Sequence, residues 1–198
     1  CTDTILRQVN DIGRMVEEFS GFARMPKPTL KSFDLASLLD ETGFAQHVVS
    51  PEISVEAHHS SNPLIVSGDE RLLAQAIGNI VKNAAEAIDG LPPGEETQGL
   101  IEISTDDLGD SVEIIIEDNG PGFPEAARDR LLEPYVTTRE KGTGLGLAIV
   151  NRIIMDHGGS IALEGRSDGL QGARVRIVLP KQSDLVSMGD VEIAEAPQ

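Results

Sequence analysis

The stretch from Glu117 to Val150 constrains this chain more than any other. It runs Glu-Asp-Asn-Gly-Pro-Gly-Phe, then Glu-Pro-Tyr-Val-Thr-Thr-Arg, then Lys-Gly-Thr-Gly-Leu-Gly-Leu-Ala-Ile-Val. The first piece closes an apolar strand pattern, Val112, Ile114, Ile115 and Ile116, with a carboxylate and two glycines, Gly120 and Gly122. Glycine permits close backbone approaches that a side chain would block, so a buried strand delivers Asp118 to the floor of a pocket. The last piece sets Gly142, Gly144 and Gly146 ahead of a helical apolar pattern, Leu145, Ile149, Ile153 and Ile154. Free backbone N–H groups at a helix N-terminus suit an anion, phosphate above all. Between the two lie about twenty residues rich in charge, Gly, Pro and Thr, long for a plain connection and in keeping with a lid or binding loop. The whole stretch reads as a nucleotide site.

With 198 residues, 39% of them hydrophobic and 25% charged, the chain has the material for one sizeable soluble domain plus an appendage. A net charge of -17 argues against a general nucleic-acid binder, because there is no basic patch to neutralise a phosphate backbone. Nucleotide phosphates must then be handled locally, by backbone N–H groups, a metal ion and a few cations such as Lys141 and Arg139. The single cysteine, Cys1, excludes an internal disulfide and fits a reducing compartment. No apolar run approaches the roughly 20 residues that span a bilayer, and no signal peptide is visible, so no membrane contact is expected of this fragment.

In chain order, Ile5, Val9, Ile12, Val16 and Phe19 recur at helical spacing over residues 1–25, a narrow stripe suited to a partner helix. Met25-Pro26-Lys27-Pro28 ends that helix, and residues 26–32 read as a linker. The main domain is expected over 33–180. Within it, Asp34 caps a short helix from Leu35 to about Gln46, Ile53 to His58 alternates as a strand, and Leu64-Ile65-Val66 is a short buried run. Asp69 caps a strong helix to about Ile88, with Leu73, Ile77, Ile80 and Ala84 facing inward. On the same helix Gln75, Asn79 and Asn83 fall at i, i+4 and i+8, a row of amides that makes a poor core and a good ligand face. A hairpin follows, Leu100 to Thr105 and Val112 to Asp118, turning through Asp106 to Asp110. A helix from about Leu145 to His157 stops at Gly158-Gly159, and strands Ser160 to Glu164 and Ala173 to Leu179 end the domain. Residues 181–198 are polar and acidic without a period and read as a disordered tail. The expected fold is α/β of the α+β kind, a two-layer sandwich whose mixed sheet is covered on one face by helices, preceded by one long N-terminal helix.

Four segments now stand in order over about 80 residues, a strong combination where each alone is weak. Asn79-Ile-Val-Lys-Asn83-Ala resembles the N box of the Bergerat ATP-binding fold shared by gyrase, Hsp90, histidine kinases and MutL. Asp118-Asn-Gly-Pro-Gly122 resembles its G1 box, Glu133-Pro-Tyr135 its F box with Tyr for the usual Phe, and Gly142-Thr143-Gly144-Leu145-Gly146 its G2 box. The resemblance implies that Asn83 holds Mg²⁺ bridging the phosphates of ATP, helped by Asn79. It also implies that Asp118 bonds the adenine amino group, and that the G2 residues with Lys141 approach the phosphates. Gly120 and Gly122 would line the base, and Tyr135 would be a lid residue packed on the core.

Hydrolytic members of the superfamily carry a general-base Glu one turn before the metal-binding Asn. Here that position is Asn79, and an amide cannot take a proton, so the chain resembles the phosphotransferring histidine kinases. Residues 1–25 resemble the second helix of their dimerisation and phosphotransfer domain, and Arg7 to Pro28 further resembles NtrY-type nitrogen-regulation sensor kinases. What this implies is the catalytic, ATP-binding part of a bacterial two-component kinase, the cytoplasmic portion of an inner-membrane sensor, homodimeric at full length. The γ-phosphate would pass to a His on a dimerisation helix absent from this chain, then to a response-regulator aspartate. His47, His58, His59 and His157 do not replace that acceptor, and His157 reads as a helix cap. A hydrolysing ATPase and a degenerate nucleotide- or partner-binding module are the alternatives, separable by steady-state hydrolysis and by failure to bind ATP.

Overall fold

The structure is a computed structural model that describes residues 24–91, 98–138 and 142–181, together with Gly13 and Ser20. Gly13 and Ser20 are helical, and the Arg24 N–H donates to the Ser20 carbonyl at 3.1 Å. The rest of the expected N-terminal helix, and the tail beyond Lys181, lie outside the described residues.

Ten elements follow: β1 Lys31–Asp34, α1 Leu35–Val49, β2 Ile53–His59, β3 Ile65–Gly68, α2 Glu70–Asp89, β4 Gly99–Asp107, β5 Ser111–Asp118, α3 Gly146–Asp156, β6 Ser160–Gly165 and β7 Ala173–Pro180. A five-stranded sheet has the order β2-β4-β5-β7-β6, with β2 parallel to β4 and the other pairs antiparallel. This is the expected mixed sheet with helices on one face. Period-two alternation explains the layering: Ile101 and Ile103 of β4, Val112, Ile114 and Ile116 of β5, and Val175, Ile177 and Leu179 of β7 meet Leu73, Ile77 and Ile80 of α2 and Ile149, Ile153 and Ile154 of α3 in one core. The other face carries the intervening charges, where Arg176 pairs with Glu113 and Arg174 lies between Glu117 and Glu164.

Three local details differ from the sequence reading. β1 begins at Lys31, inside the expected linker, and pairs antiparallel with β3 in a separate two-stranded ribbon. That ribbon covers the core on one face only, so Leu64 and Val66 are buried while Ile65 between them is 52% exposed. Lys181 is tied to the domain, its N–H donating to Asp110 O, its carbonyl accepting from Ser67 N and its ammonium paired with Asp107.

Each helix has a specific side chain fixing one of its ends. Asp34 accepts from the Ala36 N–H and also from Leu64 N at 2.9 Å, stapling the start of α1 to the strand ribbon. Its carboxyl is held below the ordinary range, first by the Leu64 N–H and then by the Ser37 hydroxyl and nearby amides against the cost of burial. Asp69 caps α2 through Leu72 N at 3.1 Å and also accepts from Thr29 N at 3.0 Å, which binds the incoming chain to that helix. Burial pushes the Asp69 carboxyl up, but the Thr29 and Leu72 N–H groups and the Arg71 charge outweigh it, and the net shift is downward. His157 caps α3 as expected and does more. Its Nδ1–H donates to Ile153 O at 2.7 Å, and Nε2 accepts the Asp69 N–H at 2.9 Å, joining the end of α3 to the start of α2.

Candidate nucleotide site

In the amide row of α2, Gln75 is exposed while Asn79 and Asn83 are half-buried, and this stretch of the helix reaches two of the glycine-rich segments. A Cβ placed on Gly146 would lie 3.8 Å from Asn83 Nδ2, so the metal-ligand candidate faces the start of α3. One turn further, Ala87 Cβ would be 3.3 Å from a Cβ on Gly120. Asn79, Asn83 and Ala87 therefore form one wall running from the G2 segment to the G1 segment, with Asn79 half-buried one turn before Asn83. Ala87 carries no polar group, so nothing in the sequence singles it out beyond its i+4 spacing from Asn83.

Asp118 ends β5 and is 5% exposed, a nearly buried carboxylate at the strand end beside the glycine-rich turn. Its Oδ1 accepts from Gly120 N at 2.9 Å and from Ala173 N, at the head of β7, at 3.4 Å. The sequence gives no sign of the second donor, since Gly172 and Ala173 lie more than fifty residues away. Asn119 plays a separate part, in which its Oδ1 accepts from Leu100 N and its Nδ2 donates to Gln98 O, closing the neck of β4. Gly122 abuts the far side of the same turn, where a Cβ would meet Gly172 O at 2.7 Å.

The loop into α3 is built for an anion. Where α1 and α2 use aspartate caps, the N-cap of α3 is Leu145, which makes no side-chain cap, and its first turn holds no acidic residue. The backbone N–H groups of that turn, with the positive end of the helix dipole, are chemically suited to an anion. Thr143 Oγ1 accepts from Leu145 N at 3.3 Å, and Leu145 is buried, which anchors the loop. Gly144 has φ +69, and a Cβ there would sit 2.6 Å from Tyr135 C and 2.9 Å from Val136 N. Tyr135 N also donates to Gly144 O at 3.0 Å, so the F and G2 segments are laid backbone on backbone.

Tyr135 itself corrects an expectation. Its φ is 67, a left-handed conformation, and its ring is 59% exposed instead of packed on the core. The turn sends Tyr135 outward, while Val136 and Leu132 pack against the core beside buried Leu131. Gly142 borders the same loop, whereas Lys141 and Arg139 lie outside the described residues.

Among the described residues no cluster of three or more His, Cys, Asp or Glu could cage a metal ion. A single hard amide oxygen at Asn83 fits Mg²⁺ only as an ion that arrives with phosphates and keeps most of its waters, which is the usual mode for nucleotide-bound Mg²⁺. The four histidines do not gather near this wall: His157 is buried between α3 and α2, and His59 bonds Asp40 and Thr105. His47 bonds Ile53 O, and His58 stands on the edge strand β2.

Comparison with known proteins agrees with this geometry. Residues 68–183 match the family described as histidine kinase-, DNA gyrase B-, and HSP90-like ATPase. The chain belongs to that family, and within it to the ATP-binding catalytic domains of two-component sensor histidine kinases. The nitrogen regulation protein NtrY of Azorhizobium caulinodans is 51% identical over 179 residues, 90% of this chain but 23% of NtrY. Sporulation kinase D of Bacillus subtilis is 34% identical over 86% of this chain and 33% of its own length. Among solved structures, the nucleotide-free catalytic domain of histidine kinase ThkA superposes with a TM-score of 0.67 at 30% identity, over 78% of this chain and 97% of that one. Full-length ShkA in complex with AMPPNP gives 0.74 at 28% identity, over 89% of this chain and 37% of ShkA. ThkA in complex with the response regulator TrrA gives 0.72 at 25% identity, over 90% of this chain and 50% of that one. Among the described residues no helix is long and apolar enough to cross a membrane.

Proposed function

We propose that this chain binds ATP with Mg²⁺ and passes the γ-phosphate to a histidine of a dimerisation and phosphotransfer domain, from which it goes to a response-regulator aspartate. The observation that carries this is the pairing of Asn83 with the Gly146 loop on a helix whose preceding turn offers Asn79, an amide, where hydrolysis would need a base. Asp118, oriented by two backbone N–H groups, selects the adenine amino group. Bound Mg²⁺ supplies charge neutralisation on the triphosphate, with Asn83 as its protein ligand and Asn79 beside it. The N-terminal turn of α3 and the Gly142 to Gly146 loop bind the phosphates, and Lys141 adds a charge. Little covalent work is left to the protein, so rate comes from alignment and charge stabilisation. None of the four histidines of this chain faces the pocket, so the acceptor is a different one. The likeness to NtrY extends the reading to nitrogen-regulation signalling, and the full-length sensor is proposed to be membrane-anchored and to act as a homodimer.

The test is transfer of labelled γ-phosphate, with Mg²⁺, from this chain to the dimerisation and phosphotransfer domain of the NtrY relative supplied in trans. Label on that domain's histidine with the unmutated chain, and loss of it with Asn83→Ala, is the expected outcome. Undiminished transfer by Asn83→Ala would sink the metal role.

A further inference from the structure

The β6–β7 turn, residues 166–172, lies outside all four motifs and yet packs against the backbone of Asp118 from behind. Gly172 has φ +148, and a Cβ there would run into the Asp118 carbonyl oxygen on one side and Arg166 Cγ, at 2.9 Å, on the other. Its neighbour Ala173 donates the second hydrogen bond to Asp118 Oδ1. The turn is pinned to the open face of the sheet by ion pairs and hydrogen bonds. Arg166, with a side chain 10% exposed, reaches Glu102 Oε2 at 3.2 Å and Asp168 Oδ2 at 2.9 Å. Ser167 N and Oγ both donate to Glu117 Oε1, at 3.1 and 3.2 Å. Glu102 and Glu117 are register partners on β4 and β5, and Glu117 directly precedes Asp118. A nearly buried arginine with two carboxylates is weak evidence for stability, because desolvation offsets the attraction, but it does fix register.

We propose that the β6–β7 turn is the specificity wall of the nucleotide site, with Arg166 and Gly172 as positioning residues that hold the Asp118 carboxylate in its adenine-selecting orientation. This rests on the reading of the pocket as an ATP site. The chain of contacts is short: Glu102 and Asp168 hold the Arg166 head, the Arg166 stem closes on Gly172, and Gly172 lies flat on the Asp118 peptide. A Cβ at position 172 would overlap the Asp118 carbonyl oxygen as well as the Arg166 stem, so the close approach of residue 172 to the Asp118 backbone must open, and the Ala173 N–H next to it is drawn off the carboxylate. Loosening the head by Arg166→Gln acts in the same direction without placing any new atom near Asp118.

The experiment measures calorimetric affinities of the whole chain for non-hydrolysable adenosine and inosine triphosphate analogues, for ADP, and with and without Mg²⁺. Inosine replaces the amino donor by a carbonyl, so the unmutated chain should prefer adenosine by roughly 10- to 100-fold, the span of one charge-assisted hydrogen bond. Arg166→Gln and Gly172→Ala should shrink that preference to a few-fold, while the ratio of triphosphate to diphosphate affinity and its Mg²⁺ dependence stay as they were. Arg166→Lys, which keeps one ion pair, should recover part of the preference, a readout that a merely stabilising role would not move. Titration stoichiometry counts the folded fraction, so partial misfolding cannot pass for lost discrimination. If Arg166→Gln keeps the full preference for adenosine, the wall is refuted and the ATP site stands. If the unmutated chain binds neither nucleotide, the ATP reading fails and this inference falls with it.

Discussion

Replacing His157 by leucine should destabilise the domain by an amount that its two hydrogen bonds set. The imidazole is 2% exposed and stands between the last turn of α3 and the cap of α2. Leucine keeps most of the volume, so little cavity is made. The Ile153 carbonyl retains a partner in the residue 157 N–H at 3.2 Å. The cost therefore falls on the Asp69 N–H, left buried without its acceptor, at about 1–3 kcal/mol. For a domain of this size that corresponds to a fall in Tm of roughly 3–10 °C. His157→Ala adds the loss of a large buried side chain, typically about 2–5 kcal/mol more, which approaches the lower end of a whole domain's stability. His157→Gln should recover part of the loss, because its amide oxygen can reach the Asp69 N–H. Thermal unfolding followed by circular dichroism reads all three variants. A His157→Leu midpoint within about 1 °C of the parent would show that the Asp69 N–H does not depend on this acceptor.

Gly144→Ala should weaken nucleotide binding, since a left-handed conformation costs an L-residue about 1–2 kcal/mol and the new Cβ meets the Tyr135 backbone, which cannot swing aside. A loss of roughly tenfold or more in calorimetric affinity is expected, and parental affinity would refute the strap between the F and G2 segments. Acid stability follows from Asp34 and Asp69, whose carboxyls sit below their ordinary value in the folded chain. In the window between the two values the unfolded chain binds more protons, so the stability these groups contribute is complete above about pH 4 and is lost as pH falls through the lower folded pKa values. Asp69→Asn keeps a capping side chain but not the charge, and should flatten the fall in Tm between about pH 5 and pH 2; an unchanged slope would count against the linkage.

Features with a period or a motif are the ones legible in the sequence. α2 shows a strong amphipathic repeat and an aspartate cap, and it is found at Glu70–Asp89. The alternation in β4 and β5 predicts a hairpin, and the two strands pair along their length. β1 is hidden because it has four residues beside prolines and its partner begins more than thirty residues later. The exposure of Ile65 escapes the sequence for a related reason: a run of three apolar residues reads as buried on both faces, and a two-stranded ribbon buries only one. The outward turn of Tyr135 depends on one left-handed φ, which an aromatic residue does not advertise. In the candidate site, the four boxes name the residues to which the proposed chemistry is assigned. The parts that orient them, Ala87, Gly172, Ala173 and Arg166, act through backbone or through a stem and carry no local signature.

The chain's own charge makes the construction of the phosphate end understandable. A net charge of -17 sets a long-range field against any triphosphate, and screening beyond roughly 10 Å at 0.1 M salt leaves only short-range terms to favour it. Cationic side chains are one such term, but only 16 lysines and arginines are present, and several are already committed to Glu102, Glu113, Glu117, Glu164 and Asp107. Backbone N–H groups at the start of α3 are another, and they add no net charge that the acidic surface could pull into an ion pair. Leaving that helix without an acidic cap, while α1 and α2 both have one, removes the competitor that would otherwise occupy those groups. An aspartate at position 145 would stabilise α3 by capping it and would stand where a phosphate is needed. The leucine found there gives up a cap worth about 1 kcal/mol, which fits the proposed phosphate site at that helix start.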